Sequence, residues 1–84
     1  MSYKIKLTPQ AEKFLDKLEK KEALRIINKL KEVSKDPFRY LEHYEGEGYK
    51  LRIGNYRGLI DVNLQNGILK IRLLDKRERI YKNR

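Results

Sequence analysis

Residues 49–57, YKLRIGNYR, alternate apolar and cationic side chains and then turn on Gly54-Asn55 before another arginine. A strand repeats its side chains every two residues, so Tyr49, Leu51 and Ile53 point to one face and Lys50 and Arg52 to the other. One face can be core while the other carries a row of positive charge. Such a row is an ordinary way of keeping a strand soluble. Here it is followed by a second cluster, Lys76, Arg77 and Arg79 with Tyr81 just behind, and the two together suggest a phosphate site.

The remaining segments supply the other layer. Tyr3, Ile5 and Leu7 alternate with Lys4 and Lys6, which reads as a short strand over 3–7. Thr8 fits an N-cap with Pro9 at the first helical position, where a missing N–H costs nothing. Ala11, Phe14, Leu15 and Leu18 fall at helical spacing and predict an amphipathic helix over 9–20. Leu24, Ile27 and Leu30, with Ile26 and Val33, predict a second over 22–34, so that the two form a helical hairpin. Asp36-Pro37 ends it, because proline disfavours helical geometry at the preceding residue. Residues 38–48, which hold Tyr40, Leu41, His43, Tyr44 and two glycines, are expected to be mostly irregular.

Three strands follow, over 49–53, 56–64 and 68–74. The last two are joined through Gln65-Asn66-Gly67, whose Asn-Gly pair favours a tight hairpin because both residues tolerate positive φ. On the middle strand Ile60, Val62 and Leu64 share one face, with Arg57, Leu59, Asp61 and Asn63 opposite. On the final strand Leu69, Ile71 and Leu73 are expected to face the helices, leaving Lys70 and Arg72 on the other side. The order is βααβββ, without repeat, linker or low-complexity segment. It implies a single α+β domain over residues 1–84, with the two-helix hairpin packed on one face of an antiparallel sheet and the opposite face open and basic.

Charge points to the kind of partner. Residues 1–48 carry 11 Lys or Arg against 9 Asp or Glu, whereas 49–84 carry 10 against 3, so +7 of the net +9 belongs to the second part. That asymmetry fits a polyanion, most often nucleic acid, or an acidic protein that covers the same surface. A chain of 84 residues forms one core and buries only about 60% of its unfolded surface. The absence of cysteine excludes disulfides and thiolate metal sites. No apolar run is long enough to span a bilayer, and MSYKIKL lacks the apolar stretch of a secretion signal. A cytoplasmic location is expected, with no membrane partner.

The inventory of reactive groups is narrow. His43 is the single histidine, which provides neither a metal-ligand set nor a Ser-His-Asp arrangement, so no metal and no cofactor are expected. Neither GxGxxG nor GxxxxGK[ST] is present. What remains is Lys50, Arg52, Arg57, Lys76, Arg77 and Arg79 as phosphate ligands, with Tyr44, Tyr49, Tyr56 and Tyr81 as rings on which bases could stack. The plainer reading of each stays open: solvated strand cations at Lys50 and Arg52, an Arg57–Asp61 ion pair, packing tyrosines, and a charged tail from Arg77.

The βααβββ order, the TPQAEKFLDKL helix opening, Asp36-Pro37, YKLRIGNYRGLI and the terminal LDKRERIY together resemble the RelE/ParE toxin superfamily. The similarity is to a RelE-type toxin of an archaeal or bacterial type II toxin–antitoxin pair. It covers nearly the whole chain, and its most specific parts are residues 49–60 and 77–81. The resemblance implies a metal-independent endoribonuclease, an mRNA interferase that cuts messenger RNA in the ribosomal A site and is silenced by a RelB-type antitoxin. Matched motif to motif, it places catalysis on Lys50, Arg57, Arg77 and Tyr81, and RNA binding on Arg52, Lys76, Arg79 and Tyr56. Arg52 departs from the lysine of some bacterial members; arginine does not readily lose its proton, so Arg52 is expected to position RNA.

Cleavage by the 2′-hydroxyl needs a base, an acid for the leaving 5′-oxygen and positive charge on the phosphorane. Lys50, crowded by cations, or Tyr81 is the expected proton carrier, with Arg57 and Arg77 stabilising charge. Two alternatives come from different classes. One is a ParE-like toxin that inhibits DNA gyrase without being a nuclease. The other is an inactive module that binds RNA or a partner protein.

Overall fold

The computed structural model describes residues 2–76. Strand β1 spans Lys4–Leu7, helix α1 Pro9–Lys17, helix α2 Lys20–Lys35 and the one-turn helix α3 Pro37–Tyr40. Four strands follow: β2 Glu42–Glu45, β3 Gly48–Ile53, β4 Tyr56–Asn63 and β5 Ile68–Lys76. They form one five-stranded sheet in the order β1-β5-β4-β3-β2. Strands β2 to β5 are antiparallel neighbours, whereas β1 lies parallel to β5. The sheet is therefore mixed rather than antiparallel throughout, because the chain leaves β1 through two helices and returns along the far edge of the meander. Among the described residues, no helix is long and apolar enough to cross a membrane.

The helices start and stop for local reasons. Thr8 is extended and its Oγ1 accepts from the Ala11 N–H at 3.3 Å, with Pro9 opening α1. That helix ends earlier than its periodicity predicts. Leu18 turns extended, with φ −79° and ψ 156°, while its side chain still packs on the core, so only Leu18 and Glu19 separate α1 from α2. Asp36 breaks α2 ahead of Pro37, which in turn begins α3. Residues 37–45 thus hold a helical turn and an edge strand where an irregular connection was expected.

One face of the sheet holds the core. Ala11 and Leu15 from α1 and Ile26, Leu30 and Val33 from α2 meet Leu51, Ile53, Ile60, Val62, Leu69, Ile71 and Leu74. Each such side chain contributes roughly 1.5–3 kcal/mol of burial. Leu74, not Leu73, completes this row. The β4–β5 register shifts between Leu59 and Ile60, whose partners are Leu73 and Ile71, so Arg72 is an extra residue in β5. A bulge of this kind reverses the side-chain phase beyond it. Leu73 is thereby turned to the face opposite the helices, beside Leu59.

Side chains from α1 hold β5 where β1 runs out. The Thr8 hydroxyl lies 3.1 Å from the Ile71 carbonyl and 2.9 Å from that of Arg72. Gln10 Nε2 donates to the Leu74 carbonyl at 2.8 Å, and Gln10 Oε1 accepts from the Leu74 N–H at 2.9 Å. The amide of Gln10 thus acts as one more strand residue along the bulged segment. The β4–β5 connection is a four-residue turn, 64–67. Gly67 alone takes positive φ there, at 64°, and Asn63 Oδ1 accepts from the Asn66 N–H at 3.0 Å. Asn66 does not need the left-handed region that a two-residue turn would impose on it.

Candidate nucleic-acid interface

Strand parity sorts the candidate residues. On β3, Leu51 and Ile53 are buried against the helices, so Gly48, Lys50 and Arg52 face the other way. Across the ladder Lys50 meets Leu59 and Arg52 meets Arg57. Arg57 is 9% exposed and lies between Arg52 on β3 and Asp75 on β5. A guanidinium so placed keeps its charge, and salt screens it less than it screens an exposed one. Directly opposed like charges oppose pairing by up to about 1 kcal/mol. The β3–β4 hairpin forms in spite of this, held by its apolar face and by Gly54 at φ 58°.

The same face also carries carboxylates. Asp61 pairs with Arg72, 3.4 Å from Nη1 to Oδ1, so the ion pair foreseen between Arg57 and Asp61 is formed with Arg72 instead. Asp61 is the register partner of Lys70, so Arg72 is its diagonal neighbour on the same face. Glu42 of β2 is the register partner of Lys50. The immediate strand neighbours of Lys50 are therefore a carboxylate and Leu59, not the ring of cations its sequence surroundings imply.

The tyrosines are redistributed. Tyr56 shares its face with Gly58 and Ile60, packs on the core, and meets Phe14 edge-on with ring centroids 5.8 Å apart. It packs on the helix side, on the sheet face opposite Lys50, Arg52 and Arg57. Lys76 is its register partner and falls on that side too. Tyr49 likewise faces the core layer, edge-on to Phe38 at 5.6 Å. Tyr44 is the aromatic that reaches the cationic face. The β2–β3 register shifts around it, and a Cβ at Gly48 would sit 2.8 Å from its ring. Lys50 Nζ stands 5.7 Å from the Tyr44 ring centroid, and the residue is 36% exposed. The signal for this in the sequence is Gly48, a strand position left without a side chain so that a ring can cover it.

Lys50, Arg52 and Arg57 are thus brought together on adjacent strands, with Tyr44 added and Tyr56 and Lys76 separated from them. Arg77, Arg79 and Tyr81 lie outside the described residues.

The family described as ParE toxin of type II toxin–antitoxin system, parDE, matches residues 5–81. The toxin–antitoxin complex RelBE2 from Mycobacterium tuberculosis holds a chain with TM-score 0.82 and 21% identity, covering 92% of this chain and 100% of that one. The archaeal RelE–RelB complex from Pyrococcus horikoshii gives TM-score 0.78 at 26% identity, over 94% and 99% of the two chains. A mutant of the E. coli toxin RelE in the free state gives 0.78 at 24%, over 98% and 93%. No curated protein matches the sequence significantly.

Proposed function

This chain belongs to the ParE toxin family of type II toxin–antitoxin systems, within the RelE/ParE superfamily, and we propose that it is a ribosome-dependent endoribonuclease that cuts messenger RNA in the A site. The observation that carries the reading is the cross-strand pair Arg52–Arg57 set beside Lys50 on one face of the sheet. In-line attack of a 2′-hydroxyl on its phosphate places a further negative charge on the phosphorane, which Arg57, largely buried beside Arg52, would stabilise. Of Lys50 and Tyr81, the one that is deprotonated takes the 2′-hydroxyl proton and the other gives its own proton to the leaving 5′-oxygen as the P–O5′ bond breaks, while Arg77 adds charge stabilisation, all without a metal ion. Arg52 and Arg79 position the strand, and Tyr44 takes the stacking role in place of Tyr56.

The neighbouring RelE chains from Mycobacterium tuberculosis and Pyrococcus horikoshii are seen in complexes with RelB antitoxins. A cognate RelB-type antitoxin is accordingly the proposed partner here, covering part of the cationic face and blocking RNA in the cytoplasm where ribosomes work. The matched family's description favours a second reading, a ParE-like toxin that inhibits DNA gyrase.

Primer extension on a defined messenger separates these. Cuts on ribosome-bound RNA, absent from naked RNA and reduced about 10²–10³-fold by Arg57→Ala, as when a preorganised charge-stabilising donor is removed, are the expected result. No cuts in any setting, together with loss of gyrase supercoiling in a parallel reaction, would establish the second reading instead.

A further inference from the structure

We propose a second phosphate-binding site on the helix side of the β3 edge, built by Arg25 and Lys29 of α2 with Arg52; it rests on the reading of the protein as an RNA-binding toxin. Strand β2 pairs with β3 only as far as Lys50, so Leu51 to Ile53 have a sheet neighbour on the β4 side alone. Beside that bare edge lies a groove of about 390 Å³ lined by Arg25, Asn28, Lys29, Glu32, Arg52 and Gly54, among others. Arg52 belongs to both surfaces: parity sends it to the cationic face, and the missing stretch of β2 lets its side chain also border the groove.

Two contacts hold the groove's cations in place. The Arg25 guanidinium lies against the β3–β4 turn, where a Cβ on Gly54 would come within 2.7 Å of Nη2. Its other neighbour, Glu22, is a loose 3.8 Å away, and the Arg25 side chain is 60% exposed. Lys29 Nζ stands 4.5 Å from the Tyr40 ring centroid and 3.9 Å from Glu32. Glu32, the one carboxylate of the lining, also accepts from the Tyr40 hydroxyl at 2.7 Å. Counting Glu22 behind Arg25 as well as Glu32, three cations face two carboxylates, both at long range of their partners, which leaves the groove net positive, with Asn28 as a neutral donor. The groove continues the Arg57–Arg52 line around the sheet edge, so a single RNA strand crossing the cationic face would extend into it, with bidentate guanidinium contacts at Arg52 and Arg25.

The test uses fluorescence anisotropy with the full chain and single-stranded 2′-O-methyl RNA, which resists cleavage, of about 4 and about 12 nucleotides, the range over which one small domain tracks a backbone. The variants are Arg25→Gln/Lys29→Gln, the charge-keeping Arg25→Lys/Lys29→Arg, and Arg57→Ala. For the long RNA, the Gln pair should bind more weakly and flatten the slope of log K against log salt by about 1.4, two phosphate contacts at ~0.7 each. The short RNA should bind it as the wild type, and the charge-keeping pair should restore the slope. Arg57→Ala should weaken both RNAs. A Gln pair with the wild-type slope on the long RNA, alongside a weakened Arg57→Ala, overturns the groove alone. Wild-type protein that binds neither RNA yet cuts ribosome-bound messenger overturns the groove alone, whereas protein that neither binds RNA nor cuts ribosome-bound messenger overturns the RNA reading and the groove with it.

Discussion

The two faces of strands β3 to β5 are made by the same residues in alternation, yet they obey different rules. On the helix side Leu51, Ile53, Ile60, Val62, Leu69, Ile71 and Leu74 form one buried layer with α1 and α2. On the other side cations, carboxylates and the leucines Leu59 and Leu73 are interleaved, and two arginines stand directly opposed. Burial dictates the first face, where a misplaced residue costs stability. The second is free of that constraint and can be arranged for binding at the expense of stability. Because parity separates the two sets, substitutions should separate folding from activity.

The largest effect should come from Ile71→Ala, a fully buried site where lost transfer energy and a cavity together cost about 2–5 kcal/mol, read by urea unfolding. Next is Gln10→Ala. It strips both amide contacts from Leu74 and should cost about 1–3 kcal/mol by leaving part-buried backbone groups unsatisfied; faster hydrogen exchange at Leu74 would locate the loss. Arg72→Ala removes only an exposed ion pair to Asp61, worth roughly 0.2–1 kcal/mol and reduced further by salt. Smallest in stability is Lys50→Ala, expected to stay within about 0.5 kcal/mol of wild type while cleavage in the ribosome assay falls. Arg52→Gln should even stabilise slightly, by up to about 1 kcal/mol, as cross-strand repulsion with Arg57 is relieved. Should Lys50→Ala or Arg52→Gln unfold the protein as readily as Ile71→Ala, the division between the faces is broken.

The sequence resolved the two faces unequally. Alternation located β3 and β4 and assigned Lys50, Arg52 and Arg57 to a common side, because a half-buried strand writes its environment into every second residue. It missed β2, whose residues Glu42 to Glu45 are exposed throughout and so carry no alternation to read. Tyr44, a stacking candidate by residue type alone, sits on that strand, and its place beside Lys50 follows from the β2–β3 pairing. The error at Leu73 has a different origin: one bulged residue at Arg72 inverts the phase, and nothing in ILKIRLLDK distinguishes LRL from the correct reading without the partner strand.

What the chain alone determined, then, is whatever follows from local periodicity and local backbone preference. The Thr8-Pro9 start of α1, the break at Asp36-Pro37, the turns at Gly54 and Gly67, the α+β class and the apolar residues of three strands all belong here. Each depends on neighbours a few positions away. Tertiary structure decided what depends on distant ones: β1 parallel beside β5, Gln10 completing the edge at Leu74, Arg72 rather than Arg57 paired with Asp61, Tyr56 turned inward and Tyr44 outward. It also decided that the β2–β3 pairing ends at Glu42 and Lys50, so that Leu51 to Ile53 have a strand neighbour on the β4 side alone. Those outcomes are settled by which strands lie side by side and in what register, and register is a property of the pair, written in neither strand by itself.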